Sequence, residues 1–155
     1  MIGPVEHSGG AGEGGNTSSA GRIELKISSD PANLRGVRRQ LEDFARFVGM
    51  SQEATDAIGL ALNEALANVM RHGYSGARDK PIVVAGEIIN GGFRLTIRDW
   101  APPFDPSRLP KKDRADLTPG GLGLLCIRKL MDETNFSPQP DGMLLTMVKH
   151  MKATK

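Results

Sequence analysis

An α+β fold, with an antiparallel or mixed sheet and helices on one face, is predicted by three features of the sequence. Apolar and polar residues alternate near Arg22 and again through most of the second half, the period of half-buried strands. Between Asp30 and Gly73 apolar residues recur instead at three- and four-residue spacing, the period of amphipathic helices. In order, the elements read β-α-α-β-β-loop-α-β-β, which suits a two-layer sandwich.

The first 21 residues, MIGPVEHSGGAGEGGNTSSAG, hold seven of the 19 glycines and almost nothing apolar. They read as a flexible tail, with residues 22–155 as the folded domain. RIELKIS places Ile23, Leu25 and Ile27 on one side of a first strand. Asp30-Pro31 then offers an N-cap and a proline at the first helical position. Leu34, Val37, Leu41, Phe44 and Val48 form the apolar stripe of a first helix, which Gly49 stops. Ser51 caps a second helix, and Glu53 is favourable in its first turn. Ala54, Ala57, Ile58, Ala61, Leu62, Ala65, Leu66 and Val69 supply its apolar face, with Gly73 as C-terminal cap. Ile82–Ile89 and Phe93–Asp99 flank Asn90-Gly91-Gly92, a hairpin signal. A connection of about twenty residues follows, punctuated by Pro102, Pro103, Pro106, Pro110 and Pro119 and carrying Lys111, Lys112 and Arg114. Loops of that length in a domain commonly serve as lids or binding loops. Gly120-Gly121-Leu122-Gly123 leads into a short helix to about Met131. Two last strands, Thr134–Ser137 and Met143–His150, meet through Pro140-Asp141-Gly142.

Composition bounds the function. The 155 residues are 39% hydrophobic and 25% charged, a globular balance rather than a disordered one. A formal net charge of +2 is too weak for bulk nucleic-acid or membrane binding. The single cysteine, Cys126, excludes an intramolecular disulfide and a multi-cysteine zinc site. No apolar run approaches the roughly 18 residues of a membrane span, and the N-terminus lacks the apolar core of a signal peptide. The expectation is a soluble, cytoplasmic protein with no direct nucleic-acid or membrane partner.

Three segments carry chemistry. In ALNEALANVMRHGY, Glu64 and Asn68 are four apart and project from one helical face. Glu64 can take a proton from a hydroxyl, and Asn68 offers a hard oxygen to Mg²⁺; an exposed, solvated polar pair has the same spacing. In FRLTIRDWAPPFDP, Asp99 continues the row Phe93, Leu95, Ile97, and an inward carboxylate needs a donor such as the exocyclic amine of adenine or a water. If the strand stops at Ile97, Asp99 merely opens a turn. In TPGGLGLLCIRKL, glycines before a helix let the backbone approach a phosphate, or serve as a plain hinge. The segment is neither a Walker A loop nor a dinucleotide fingerprint.

Together and in this order, the three segments resemble the boxes of the GHKL superfamily of ATP-binding domains, and most of all its anti-sigma-factor serine/threonine kinases. NEALANVMRHGY is similar to the N box, RDWAPPFDP to the first glycine box and PGGLGLLCIRKLMDE to the second. The resemblance runs from about Arg22 to the C-terminus and implies a Bergerat-type two-layer sandwich that binds ATP and Mg²⁺. It implies Glu64 as general base, Asn68 as Mg²⁺ ligand and Asp99 as the adenine-reading aspartate. Ala101, Gly120, Gly121, Leu122 and Gly123 would lie against the nucleotide, Gly121 and Gly123 at its phosphates. Phe104 and Asp105 match an F-D pair at the lid entrance that has no assigned chemical role. Ala101 departs from the glycine usual at its position, which bears on nucleotide affinity because glycine permits positive φ and close approach.

The resemblance further implies phosphoryl transfer from ATP to a serine or threonine of an anti-sigma antagonist of the STAS-domain type, sequestration of a sigma factor, and a homodimer. The alternative is a nucleotide-dependent binding module with little or no phosphotransfer. Phosphorylation of a cognate antagonist, lost on replacing Glu64, separates the two. A sensor histidine kinase fits less well, because the chain has no room for a phosphoacceptor hairpin. Arg35, Arg38 and Arg39 on the first helix make either a partner-facing patch or a solvated face.

Overall fold

In the computed structural model, which describes residues 5–7, 16–108 and 121–151, the strands join one antiparallel sheet. They are β1 (Val5–His7), β2 (Asn16–Ser19), β3 (Arg22–Ser28), β4 (Pro81–Ile89), β5 (Gly92–Asp99), β6 (Glu133–Gln139) and β7 (Gly142–His150), in the order β1-β2-β3-β4-β5-β7-β6. Register sorts their side chains into rows. Leu25, Val84, Ile97, Leu145 and Phe136 cross one face, flanked by Ile23, Gly86, Leu95, Met147 and Thr134. On the other flank lie Ile27, Ile82, Asp99, Met143 and Pro138. Alternation with period two sends these residues to a single face, so the sequence pattern and the layer agree.

That face is covered by α1 (Leu34–Phe47), α2 (Gln52–Asn68) and α3 (Gly121–Leu130). Val37, Leu41, Phe44 and Ala45 of α1 are buried, as are Ala54, Ala57, Ile58, Ala61, Leu62, Ala65 and Leu66 of α2. The small alanines let α2 lie closely against both α1 and α3. Asp30 Oδ1 accepts from the Ala32 N–H at 2.9 Å and starts a 3-10 turn, Pro31–Asn33, ahead of α1. Gly49, at φ +104°, follows the end of α1, and Ser51 Oγ caps α2 by accepting from the Ala54 N–H at 3.1 Å. No helix among the described residues is long and apolar enough to cross a membrane. Of the three arginines on α1, Arg38 donates to Glu42 at 2.8 Å while Arg35 and Arg39 are exposed.

Two expectations are corrected. The sheet does not begin at Arg22: Thr17, Ser18 and Ser19 pair with Glu24, Ile23 and Arg22, and Val5–His7 pair with residues of β2. Lack of apolar surface argued for a tail there, but an open sheet edge pairs through backbone groups whatever the side chains. Nor does α2 end on a left-handed Gly73. It runs into a π-helical turn, Val69–Gly73, and positive φ falls on Ser75 (+51°) and Gly76 (+84°). Gly73 meets a different need, because a Cβ there would stand 3.2 Å from the methyl of Ala101.

Gly86 sits under the core. A Cβ at this position would lie 2.7 Å from Phe93 Cζ and 2.8 Å from Leu41 Cδ1, both fully buried. Gly86→Ala is therefore expected to destabilise the protein by about 1–3 kcal/mol through overpacking. Chemical denaturation checks this, and a wild-type midpoint would show that the core repacks freely.

Candidate functional site

The alanine-rich face of α2 fixes its opposite, polar edge. Glu64 and Asn68, both half-buried, point toward the first turn of α3. There a Cβ at Gly123 would lie 3.1 Å from Glu64 Oε2, 3.4 Å from Asn68 Nδ2 and 3.5 Å from Asn68 Oδ1. The structure thus brings Glu64, Asn68 and Gly123 together, at a helix N-terminus whose first N–H groups have no intrahelical partner. Gly121 and Leu122 are the first two residues of α3. Gly120 and residues 109–119 of the connection expected to serve as a lid or binding loop, with Lys111, Lys112 and Arg114, lie outside the described residues.

β5 continues through Asp99, so this carboxylate shares the inward row instead of opening a turn at Ile97. It is 5% exposed and accepts from the Ala101 N–H at 3.0 Å. Burial holds its carboxyl above the ordinary aspartate value, against the pull of the Ala101 and Met143 N–H groups and the Arg98 charge. The folded chain therefore binds more protons at Asp99 than the unfolded chain between the two values. Its contribution to stability falls as pH rises from the ordinary aspartate range through the raised folded value. In paired melts over that window, the difference between wild type and Asp99→Asn should move in the variant's favour as pH rises. A constant difference would remove Asp99 as the titrating group.

Ala101 is 3% exposed, and among the described non-glycine residues only Ser75 has positive φ. Alanine is thus unstrained here, and its methyl occupies the space that Gly73 leaves. Asp105 Oδ1 accepts from the Ser107 N–H at 2.9 Å and from Ser107 Oγ at 2.8 Å, bonds that hold its carboxyl below the ordinary range. It caps the short 3-10 turn Pro106–Arg108, and the Phe104 ring lies 5.6 Å from that of Phe136. The F-D pair therefore anchors the near end of the connection after β5. Cys126 is half-buried within α3.

Sequence reasoning gave no role to Tyr74. Its Oη accepts from the Trp100 N–H at 2.7 Å and donates to the Pro81 carbonyl at 2.6 Å. The only sequence signal was the Tyr in HGY, and nothing in its spacing points to partners at the start of β4 and just past β5. The Trp100 ring is 40% exposed, with the Arg98 guanidinium 4.6 Å above it.

An antiparallel sheet under three helices, with a polar helix edge facing a glycine-led helix start and a buried aspartate at a strand end, defines a nucleotide-binding class of domain. The histidine kinase-like ATPase domain model matches residues 27–149, and the chain belongs to that family. Among curated proteins it is similar to the serine-protein kinase RsbW of Oceanobacillus iheyensis, with 26% identity over 137 residues, 83% of this chain and 86% of that protein. It is also similar to the serine-protein kinase RsbW of Bacillus velezensis, with 24% identity over 147 residues, 90% of this chain and 91% of that protein. Among solved structures, the RsbU and RsbW domains of Rv1364c from Mycobacterium tuberculosis superpose with a TM-score of 0.61 at 21% identity, over 83% of this chain and 32% of that one. That likeness shows the fold.

The family implies ATP binding, and two features of the structure suit a nucleotide. Gly123 leaves open, beside Glu64 and Asn68, a space that a side chain would fill. Asp99 keeps a buried carboxylate whose charged form burial disfavours despite the Ala101 and Met143 N–H groups, and a further donor would stabilise it.

Proposed function

We propose that the chain is an ATP-dependent serine/threonine protein kinase and anti-sigma factor of a bacterial partner-switching system. It phosphorylates a small antagonist protein of the STAS-domain type, and it sequesters a sigma factor when that antagonist is phosphorylated. The observation that carries the reading is the meeting of Glu64 and Asn68 with Gly123 at the start of α3. The curated relatives named as serine-protein kinases support the protein substrate. Ala101 sits without positive φ, so the backbone at this position does not call for the glycine usual there.

In this reading Asp99 accepts from the exocyclic amine of adenine and so orients the base. The open backbone at Gly121 and Gly123 lets phosphates approach the N–H groups of α3. Asn68 Oδ1 would hold Mg²⁺, which when bound offsets charge on the phosphates. Glu64 accepts the proton of the incoming hydroxyl as its oxygen bonds to the γ-phosphorus and the bond to the ADP oxygen breaks. Such transfer depends mainly on positioning and electrostatics. The protein acts in the cytoplasm as a homodimer, without direct contact to nucleic acid or membrane.

The test is transfer of labelled phosphate from ATP to a candidate antagonist that co-purifies with the protein. Serine or threonine labelling of the antagonist is expected. A partner that binds in a nucleotide-dependent way, yet is never labelled, would make the chain a binding module.

A further inference from the structure

We propose that the Tyr74 hydroxyl is a positioning group for Asp99, tying the helix of Glu64 and Asn68 to the strand end that presents the base-reading carboxylate. The inference rests on the reading of Asp99 given above and names what holds that residue in place.

Tyr74 belongs to the helix side of the site. It directly follows the π-helical turn that extends α2 beyond Asn68. Its backbone N–H donates to the Val69 carbonyl at 2.8 Å, and the Gly76 N–H donates to Met70 at 2.9 Å. Irregular helical turns of this kind are frequent at functional sites because they redirect the chain without breaking the helix. The phenol then crosses to the sheet. Ile82 and Asp99 are the last paired residues of β4 and β5 at this end. One step further, Tyr74 Oη stands between the Trp100 N–H and the Pro81 carbonyl and relays one to the other. The ladder stops there, and a side chain from the helix layer takes up its two free backbone groups.

The turn after Asp99 is consequently held at two successive N–H groups. Trp100 N–H is bound by Tyr74, and Ala101 N–H is bound by Asp99 itself. Beside them the backbone of Gly73 lies against the Ala101 methyl, so helix end and turn are packed as well as bonded. Burial keeps the phenol protonated above its ordinary range, and the Asp99 charge acts in the same direction, so the hydroxyl remains a donor to Pro81. Removing the hydroxyl alone leaves the ring in place but strips a partner from Trp100 N–H and from Pro81 C=O. The turn loses its outer tether, and Asp99 its fixed aim.

Trp100 is the only tryptophan of the chain and directly follows Asp99, so its fluorescence is the readout chosen for nucleotide titrations, with equilibrium dialysis of labelled nucleotide beside it. Wild type, Tyr74→Phe, Asp99→Asn and the double variant are titrated with Mg²⁺-ATP and Mg²⁺-GTP, each with a thermal melt. Guanine presents a carbonyl where adenine has its amine, so the ATP-over-GTP ratio isolates the aspartate's contribution. Tyr74→Phe should weaken ATP roughly five- to tenfold, the worth of one net hydrogen bond, and narrow the ATP-over-GTP ratio by the same factor. In the Asp99→Asn background the same change should alter affinity less than about twofold, because the hydroxyl acts through the carboxylate. Equal weakening of ATP and GTP, or losses that multiply in the double variant, would make Tyr74 a structural residue only. Weak ATP binding by Asp99→Asn beside normal binding by Tyr74→Phe would sink the positioning role and leave the adenine reading standing. Normal ATP binding by Asp99→Asn would overturn both.

Discussion

Glu64→Gln is expected to bind Mg²⁺-ATP nearly as wild type does while phosphate transfer to the antagonist falls by on the order of 10²–10⁴-fold, the usual worth of a general base. The expectation follows from what the substitution keeps. Glutamine has the size and shape of glutamate, so the contact between α2 and the Gly123 backbone is preserved. What it lacks is the capacity to accept a proton. The hydroxyl that gives up this proton arrives only with the partner protein, so nucleotide affinity measured alone should hardly register the change. Single-turnover phosphorylation beside equilibrium nucleotide binding separates the two effects. Transfer at the wild-type rate would exclude Glu64 as the base. A parallel loss of nucleotide affinity would show instead that the carboxylate is needed to hold the site together.

Most of the frame was legible because its determinants are local. Asp30 and Ser51 accept from the N–H groups their positions predict, and Gly49 carries the positive φ that ends α1. The row from Phe93 to Asp99 keeps its period through the last residue, so of the two readings open for Asp99 the inward one holds. What the sequence hid is non-local. β2 is held by backbone pairing at an edge, a contact that leaves no mark on side-chain composition. The room that Gly73 leaves is needed by Ala101, a residue on the opposite layer. Read alone, each looked like something else: a helix cap in one case, a misfit in a glycine box in the other. Tyr74 is the same kind of residue, since its two partners, at the start of β4 and just past the end of β5, are brought together only by the folded sheet. The joints between the boxes are set only by the fold.

Asn68→Ala is expected to lower Mg²⁺-ATP affinity and transfer together, each by on the order of 10–100-fold, the cost of leaving a charged group without its partner. Asn68 lies one turn beyond Glu64, on the same edge of α2 and against the same residue of α3. The two side chains are neighbours with separable duties. A carboxamide carries no charge and cannot act as base, so its contribution must lie in binding. Removing it should therefore appear before any partner protein is added, in contrast to Glu64→Gln. It should also flatten the Mg²⁺ dependence of ATP binding, since the lost oxygen is the one assigned to the metal. Titrating ATP with and without Mg²⁺, for wild type and Asn68→Ala, reads both effects. Should the variant lose affinity equally in the two conditions, Asn68 would be a phosphate or packing residue, and the metal would have to be held elsewhere. Should it keep full affinity and lose only transfer, the duties of Glu64 and Asn68 would not be divided as their chemistry requires.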